Sequence, residues 1–221
     1  MCGRFTLEAS KELIASKLNV YMDELEPSYN IAPTQDILAI VGSTNGRRAG
    51  YLQWGGLIPN WAKDTKIGSK MINARSETVD EKPAFTSLLA RRRCLIVADS
   101  FYEWKRIANE KQPYRITVNN GDVFTFAGLW DRWESDGEEI VSCTILTTQP
   151  NNLMGEIHDR MPVILDERQR EMWLDPTLED KIMLKRLLTP YDSNKMDAYP
   201  VSKKVNNSKY NDSSLIQPIT I

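Results

Sequence analysis

The residue with the most distinctive chemistry stands second in the chain, where Cys2 follows the initiator methionine. A small residue at this position normally permits removal of the methionine, which would expose a thiol and an α-amine on one residue. With a pKa of about 8, an α-amine is unprotonated at neutral pH roughly a few hundredfold more often than a lysine amine. Such an amine forms an imine with an aldehyde, and the neighbouring thiol can then close onto it as a five-membered thiazolidine. Taken alone, however, a cysteine near a flexible chain end more often has no chemical role.

Three further polar residues could assist a nucleophile of this kind by proton transfer or hydrogen bonding. His158 is the only histidine in the chain, and its segment GEIHDRMPVIL predicts a loop or strand end that presents an imidazole for proton transfer. Glu103 lies between Tyr102 and Trp104 beyond the apolar run CLIVA, so we expect partial desolvation that suits acid–base work. Asn73, in MINARSE, can bond to a sugar hydroxyl or an adduct. Each has a simpler interpretation alone: a packed histidine, a solvent-facing glutamate and a turn asparagine.

An arginine follows each of three candidate residues at a spacing of two. The pairs are Cys2 with Arg4, Asn73 with Arg75, and His158 with Arg160. Residues i and i+2 of an extended strand project from one face, so each reactive group would share a face with a guanidinium suited to phosphate contact. Three such pairs in one cleft would let an acidic chain, with a formal net charge of −2, bind a polyanion locally.

Two other segments bear on nucleic-acid binding. Trp61, in the proline-containing segment GLIPNWAKD, predicts a stacking platform for an unpaired base. A tryptophan folded back onto the core is an equally good alternative. The run Arg91-Arg92-Arg93 is better explained as a helix C-terminus favoured by the helix macrodipole, so we leave it out of the predicted site.

Composition narrows the class of protein. The chain has 221 residues, of which 41% are hydrophobic and 26% charged, a globular balance that excludes disordered and fibrous proteins. Its three cysteines have no CxxC spacing, and there is one histidine, so we expect no disulfide, no metal site and no cofactor. No apolar run is long enough to cross a bilayer, and no signal-peptide core is present. These features predict a cytoplasmic protein with no membrane partner.

The elements that must position these residues are mostly strands. Apolar and β-branched runs at about 37–41, 51–54, 94–98, 114–118, 123–129 and 140–147 predict strands, with a tight hairpin at Asn45-Gly46 between the first two. Thr6 can cap a first helix at about 7–18, and further helices are expected at about 83–91, 167–174 and 178–188. This pattern predicts an α+β fold, residues 1–221 as a single domain, with a curved, barrel-like, mostly antiparallel β core and peripheral helices.

Long segments along the whole chain carry a family resemblance. They are MCGRF, YNIAPTQ, GLIPNWAKD, NARSETVDEKPAF, RRRCLIVADSFYEW, FAGLWDRW, TILTTQPNNLMGEIHDRMPVIL and VSKKVNN. In these segments the chain resembles the SRAP family (SOS-response-associated peptidase domain proteins), also described as abasic-site processing proteins. One departure is Trp54-Gly55-Gly56-Leu57, where family members commonly have W-G-L. The displaced tryptophan bears on the loop that carries Trp61.

The resemblance implies a function and residue roles. Family members lose Met1, and the exposed cysteine, here Cys2, links to the open-chain aldehyde of an abasic site in single-stranded DNA. The resulting thiazolidine shields the lesion. Asn73 would position the sugar or adduct, Glu103 would assist proton transfers, and His158 would help to open the sugar ring. The residues implied in DNA binding are Arg4, Arg75, Arg160, Trp61, Asn30, Pro33 and Thr147. The family fold is a single α+β domain with a barrel-like core, and we expect a monomer that joins the nucleoid when it acts on DNA.

Two other functions remain open at this point. The first is a thiol peptidase or N-terminal nucleophile hydrolase, in which Cys2, His158 and Glu103 form the catalytic group and act on other peptides or only on Met1. The second is a non-catalytic module that binds single-stranded or modified DNA. Covalent capture of abasic DNA, with lyase-like release through the imine, is the leading hypothesis because it uses the arginine pairs as well.

Overall fold

Twelve strands, five short α-helices and five short 3-10 helices form in residues 2–220, which are the residues that the computed structural model describes. The strands are β1 (Phe5–Leu7), β2 (Ser28–Ile31), β3 (Asp36–Ser43), β4 (Gly46–Gln53), β5 (Asn73–Arg75), β6 (Arg93–Ala98), β7 (Ser100–Ile107), β8 (Glu110–Val118), β9 (Phe124–Ser135), β10 (Glu138–Thr148), β11 (Met161–Pro162) and β12 (Met196–Pro200). The α-helices are α1 (Lys11–Leu18), α2 (Thr86–Arg91), α3 (Asn152–Gly155), α4 (Glu167–Leu174) and α5 (Lys181–Arg186). None of the helices in this part of the chain is both long and apolar enough to cross a membrane.

Five of the strands close into a barrel. The hydrogen-bonded order is β10-β4-β3-β6-β9, and β9 pairs with β10 again to complete the ring. Only the contact of β10 with β4, at Ser142 and Gln53, is parallel within this ring. Strands β5 and β11 attach to the end of β10 beyond the barrel. The predicted α+β fold with a barrel-like, mostly antiparallel core is therefore confirmed.

A second sheet, in the order β12-β8-β7-β1-β2, packs against the barrel. Phe5 of β1 joins the two layers. Its ring centroid lies 5.1 Å from that of Trp54, directly after β4, and 5.7 Å from that of Phe126 in β9. All three side chains are fully buried, so aromatic packing holds β1 on the barrel. The N-terminal residues just before β1 are fixed by the same contact.

The first helix begins later than the sequence predicts. Ser10 caps α1 and accepts a hydrogen bond from its first turn, and Asn19 ends the helix in the left-handed conformation with a φ of 48°. The predicted cap, Thr6, lies instead in β1, where its hydroxyl donates to the Asp99 carboxylate and contacts the Ser100 hydroxyl. The predicted start at residue 7 was wrong because pairing with two neighbouring strands extends the chain there.

Turn chemistry in the sequence located one hairpin correctly. Strands β3 and β4 pair up to Ser43 and Gly46, which leaves Thr44-Asn45 as the loop. Gly46 has a φ of 108°, a conformation that side chains rarely adopt. The predicted helix at 167–174 has the bounds of α4, whereas the helices predicted at 83–91 and 178–188 are the shorter α2 and α5.

The last part of the chain closes over the second sheet. We call residues Val201–Ile216 the C-terminal segment. Its buried residues pack with Tyr102 of β7 in a small apolar cluster formed by Val201, Val205 and Leu215. From β2, the side-chain amide of Asn30 donates to the carbonyls of Asn207 and Tyr210, at 3.2 and 2.7 Å. The segment therefore supports the two strands that flank the N-terminus.

Candidate active site

Cys2 lies fully buried just before β1. Strand β1 pairs with β7 through Phe5 and Phe101, and the amide of Tyr102 donates to the Arg4 carbonyl at 2.9 Å. This antiparallel register brings Glu103, the next residue of β7, beside the N-terminal segment. Burial raises the pKa of the Cys2 thiol well above its ordinary range, and the Glu103 carboxylate raises it further. The thiol is therefore neutral at physiological pH and needs a base when its sulfur forms a bond.

Glu103 is buried, with 2% of its surface exposed. The partial desolvation expected from its aromatic neighbours is confirmed, and the alternative of a solvent-facing glutamate is wrong. Tyr102 is fully buried beside it, and Glu103 pairs across the ladder with Tyr114 of β8. A carboxylate in such surroundings, next to a neutral thiol, can accept and return a proton.

Asn73 contacts the other side of Cys2. Its side-chain amide donates to the Cys2 carbonyl oxygen at 3.1 Å. The position follows from β5, which runs parallel to β10 with Asn73 beside Ile145 and Arg75 beside Thr147. Because β5 is an extended strand, Asn73 and Arg75 share a face, as their spacing predicts.

His158 follows α3 and precedes β11, at the loop position that its segment predicts. Its backbone amide donates to the Met154 carbonyl at 2.8 Å. The ring nitrogen Nδ1 lies 3.1 Å from the Arg160 amide nitrogen and 2.9 Å from an Asp159 carboxylate oxygen. This ring nitrogen thus lies between a backbone donor and a carboxylate.

Two cavities flank these residues. The first, here the Trp61 cavity, has a volume of about 760 Å³. It is lined by mostly apolar side chains together with Gly3, Asn73, Arg75 and the two lysines Lys70 and Lys82. The second, the His158 cavity, has a volume of about 870 Å³ and contains Glu103 and His158. Asn73, which lines the first cavity, donates a hydrogen bond to the Cys2 carbonyl. Glu103, which lines the second, raises the pKa of the Cys2 thiol. Cys2 therefore belongs to the wall between them.

The three arginines are placed differently from one another. Arg75 is exposed in the Trp61 cavity and has no ion-pair partner within residues 2–220. Arg4 is half-buried and donates to Asn30 Oδ1 at 2.7 Å and to a carbonyl of the C-terminal segment at 2.6 Å. Arg160 forms a bidentate ion pair with Glu77, at 2.6 and 2.9 Å. The hydrogen bond from Arg160 holds the pKa of Glu77 below its usual range.

Of the three arginine pairs, only Asn73 with Arg75 has the predicted strand geometry. Cys2 and Arg4 precede β1, and the chain bends at Asp159 between His158 and Arg160. The prediction that these two pairs project from an extended strand was wrong, because both segments are loops that end where a strand begins. Arg160 still contacts Thr147, which lines the Trp61 cavity, whereas Arg4 is held by Asn30 and the C-terminal segment.

Trp61 projects from an anchored loop. The amide of Asn60 donates to Asp131 at 2.8 Å, and the indole of Trp133 donates to the Ala62 carbonyl at 2.8 Å. The loop is thus fixed on both sides of Trp61, whose exposed fraction is 57%. A tryptophan folded back on the core, the alternative from sequence, is wrong here. Pro33 and Thr147 line the same cavity.

The extra glycine before this loop has a structural reason. Gly56 has a φ of 97°, and a Cβ there would lie 1.7 Å from the Gly68 carbonyl oxygen. Trp54 is buried, and its indole donates to the Ile72 carbonyl at 3.3 Å. A glycine turn at Gly56 therefore precedes the loop that carries Trp61 to the cavity.

Asn30 is buried, with 1% of its surface exposed. Its amide is occupied by Arg4 and the C-terminal segment, so it lies behind Arg4 and not on the open surface. Residues that sequence reasoning missed include Glu77, which stands four positions after Asn73 in the segment NARSE, and Asn206, which accepts from the Trp104 indole at 2.7 Å. Within residues 2–220, no cluster of His, Cys, Asp and Glu is arranged to hold a metal ion.

Comparison with known proteins identifies the family of the chain. The profile of the SOS response associated peptidase (SRAP) family matches residues 1–208. The chain belongs to the SRAP family. Within it, the abasic site processing protein YoqW of Bacillus subtilis (strain 168) is 49% identical over 98% of this chain and 99% of its own length. The abasic site processing protein HMCES of Xenopus tropicalis is 36% identical over 86% of this chain and 65% of its own.

The fold of this SRAP protein also occurs among solved structures. A crystal structure of a protein from Bacteroides thetaiotaomicron superposes with a TM-score of 0.89 at 29% identity. The match covers 99% of this chain and 100% of that one. Barrel, second sheet and C-terminal segment therefore belong together as one architecture.

Proposed function

We propose that this SRAP protein processes abasic sites in single-stranded DNA by capturing their open-chain aldehyde as a thiazolidine on Cys2. The observation that carries the proposal is the position of Cys2 in the wall between two cavities, with Asn73 on its carbonyl and Glu103 beside its thiol. The names of its full-length relatives refer to the same substrate. The proposal requires loss of Met1, which lies outside the described residues.

The chemistry is a condensation followed by a ring closure. The Cys2 amine adds to the sugar aldehyde carbon, and loss of water from that adduct leaves an imine. The thiol sulfur then bonds to the imine carbon while the thiol proton passes to the nitrogen, so the product is protein plus DNA minus one water. Hydrolysis of the imine would return the free protein and the intact abasic site, whereas β-elimination from the imine would expel a phosphate from the sugar and give the lyase-like strand cleavage.

Each neighbouring side chain has a role in these steps. Asn73 orients the backbone of Cys2, and hence its amine, through the carbonyl hydrogen bond. Glu103 takes the proton of the neutral thiol and returns it to the imine nitrogen. His158 exchanges a proton with the sugar hydroxyls during ring opening. Arg75 and Trp61 hold a phosphate and a base in the Trp61 cavity. Because all these groups come from one chain, we propose that a monomer is active.

Arg160 fits this scheme only if it changes partner. In the absence of DNA its guanidinium is held by Glu77 and by the Thr147 carbonyl at 2.8 Å. A phosphate has the same charge and bidentate geometry as the Glu77 carboxylate. We therefore propose that Glu77 keeps Arg160 oriented until a phosphate displaces it.

The two alternatives make different demands on Cys2. A general thiol peptidase attacks with a thiolate, whereas burial raises the pKa of this thiol and keeps it protonated. Closure of a thiazolidine can start from the neutral thiol, because Glu103 is beside it to take the proton. Removal of Met1 by the protein itself remains compatible with the site. A DNA-binding module would bind without a covalent step, in a salt-dependent way that survives Cys2→Ala.

The decisive experiment is intact-mass analysis under denaturing conditions, before and after incubation with an abasic single-stranded oligonucleotide. We expect loss of one methionine and a mass gain equal to the oligonucleotide minus water. The Cys2→Ala variant should bind the oligonucleotide but give no adduct. Normal loss of Met1 with no adduct would contradict covalent capture and favour the binding module, and cleavage of an unrelated peptide would favour the peptidase.

A further inference from the structure

Two cations stand directly opposite each other on the β7–β8 hairpin. Arg106 and Lys111 are cross-strand partners in the ladder, so their side chains project from the same face. Like charges in this arrangement destabilise an antiparallel pair. Both side chains are exposed, and within residues 2–220 neither has an ion-pair partner. The hairpin therefore holds two close positive charges without local compensation.

Two neighbouring cations, Lys203 and Lys105, have partners. Lys203 pairs with Glu110, which follows the hairpin loop, and the Lys105 ammonium lies 6.0 Å from the centroid of the Tyr114 ring. Arg106 and Lys111 differ from these cations because their side chains face a cavity. Both line the His158 cavity together with Trp104 and Asn206.

The His158 cavity has one buried carboxylate at its inner end and two exposed cations at its outer end. Glu103 is buried next to Cys2, whereas the Asp159 side chain, which contacts the ring of His158, is exposed. Arg106 lies three residues beyond Glu103 on the same strand, roughly 10 Å along β7 at 3.3 Å per residue. An anion that enters this cavity is thus attracted at its mouth and excluded from the carboxylate at its floor.

We propose that Arg106 and Lys111 bind backbone phosphates of the DNA strand on one side of the captured sugar. The inference rests on the proposed function: a strand whose abasic sugar reaches Cys2 continues in both directions. One arm then leaves through the Trp61 cavity past Arg75, and the other leaves through the His158 cavity. Phosphates of that second arm would relieve the repulsion between the two cations.

The test combines charge removal with removal of one DNA arm. Crosslinking rates at limiting protein are compared for the wild type and Arg106→Gln/Lys111→Gln on three oligonucleotides. The abasic site is central in one, and next to the 5′ or the 3′ end in the others. We expect the variant to be about threefold to tenfold slower on the central site. The defect should persist when one arm is removed and disappear when the other is removed.

Salt dependence supplies an independent measurement. For a single strand, each phosphate that the protein no longer neutralises lowers the slope of log affinity against log salt by about 0.7. The slope for the central oligonucleotide should fall accordingly in the variant. The matched control is Arg48→Gln/Arg168→Gln, which removes the same charge from exposed residues that line neither cavity, and it should behave as the wild type.

Three outcomes would overturn the inference: no defect on the central site, an equal defect on all three oligonucleotides, or the same defect in the control variant. Binding affinities measured in the Cys2→Ala background repeat the comparison without chemistry. A wild type that forms no adduct contradicts the proposed function. An arm-dependent loss of binding in that background would still support the phosphate site, so the two failures are distinguishable.

Discussion

The two cavities beside Cys2 differ in what they can do. The Trp61 cavity has an exposed indole, several apolar side chains, an open arginine and two lysines, so it suits a base and a phosphate. The His158 cavity contains the carboxylates and the imidazole, which suit proton transfer, as well as Arg106 and Lys111. The difference teaches that base stacking and proton chemistry are divided between the two cavities, and that the nucleophile belongs to the wall between them. Changes to the proton-transfer groups should therefore affect mainly rate, whereas changes to the stacking ring or to the phosphate-binding cations should affect mainly affinity.

The largest expected effect is on the proton-transfer side. Replacing Glu103→Gln keeps the size of the side chain but removes its basicity, so we expect the crosslinking rate at saturating DNA to fall about 100-fold. Binding affinity should change little, and Glu110→Gln, an exposed glutamate near the same hairpin, serves as control. Single-turnover kinetics would measure both quantities. If Glu103→Gln crosslinks at the wild-type rate, Glu103 does not transfer the proton, and the His158 cavity is not the proton-transfer side.

A second prediction concerns the wall between the cavities. Burial raises the pKa of the Cys2 thiol above its value in the unfolded chain, so the folded protein retains a proton that the unfolded chain releases at alkaline pH. Stability from this group is complete below pH about 8.5 and declines as pH rises, by at most about 1.4 kcal/mol per pH unit. Buried Cys94 and Cys143 act in the same direction.

Chemical denaturation at several pH values tests this prediction. The free energy of unfolding should decline less steeply above pH about 9 in Cys2→Ala than in the wild type, because two buried thiols remain instead of three. Parallel curves for the two proteins would show that the thiol is solvated in solution. The nucleophile would then lie in the open cleft and not in the wall.

A third prediction concerns the binding side. Trp61→Ala removes an exposed ring from an anchored loop, and the loss of one stacked base should weaken DNA binding by about fivefold or more. The rate at saturating DNA should stay near that of the wild type. Fluorescence anisotropy with an undamaged strand measures the affinity, and Trp61→Phe should restore most of it. A loss of rate with unchanged affinity would reverse the assignment of the two cavities.

The smallest effect is expected at the ion pair between Glu77 and Arg160. In Glu77→Gln, Arg160 loses its ionic partner, so the guanidinium becomes more available to phosphate. We expect DNA affinity to rise about twofold to threefold. Its salt dependence should become steeper. If affinity falls instead, Glu77 acts mainly by holding Arg160 in place, and the exchange of partners would be contradicted.

Local patterns predicted much of the fold. The Asn45-Gly46 hairpin and the helix at 167–174 were found because turn chemistry and apolar spacing act over few residues. The error at Thr6 has a different origin. Its partners, Asp99 and Ser100, lie more than ninety residues away, so no nearby pattern records that this segment is a strand.

The candidate site was predicted residue by residue but not in its arrangement. Residue chemistry and the family segments pointed to Cys2, Asn73, Glu103 and His158, and the structure brings them around one wall. The two-cavity plan could not be foreseen because β5, only three residues long, pairs with β10 across a large sequence separation. The ion pair between Glu77 and Arg160 is equally remote in sequence.

The hydrogen bonds of Asn30 have a consequence for biosynthesis. Strand β1, which follows Cys2, pairs with β7 about a hundred residues further along the chain. The C-terminal segment that holds Arg4 and Asn30 comes later still in the sequence. The contacts around the nucleophile therefore form only after most of these residues have been synthesised. We expect Cys2 to be open to processing enzymes before that point and enclosed after it.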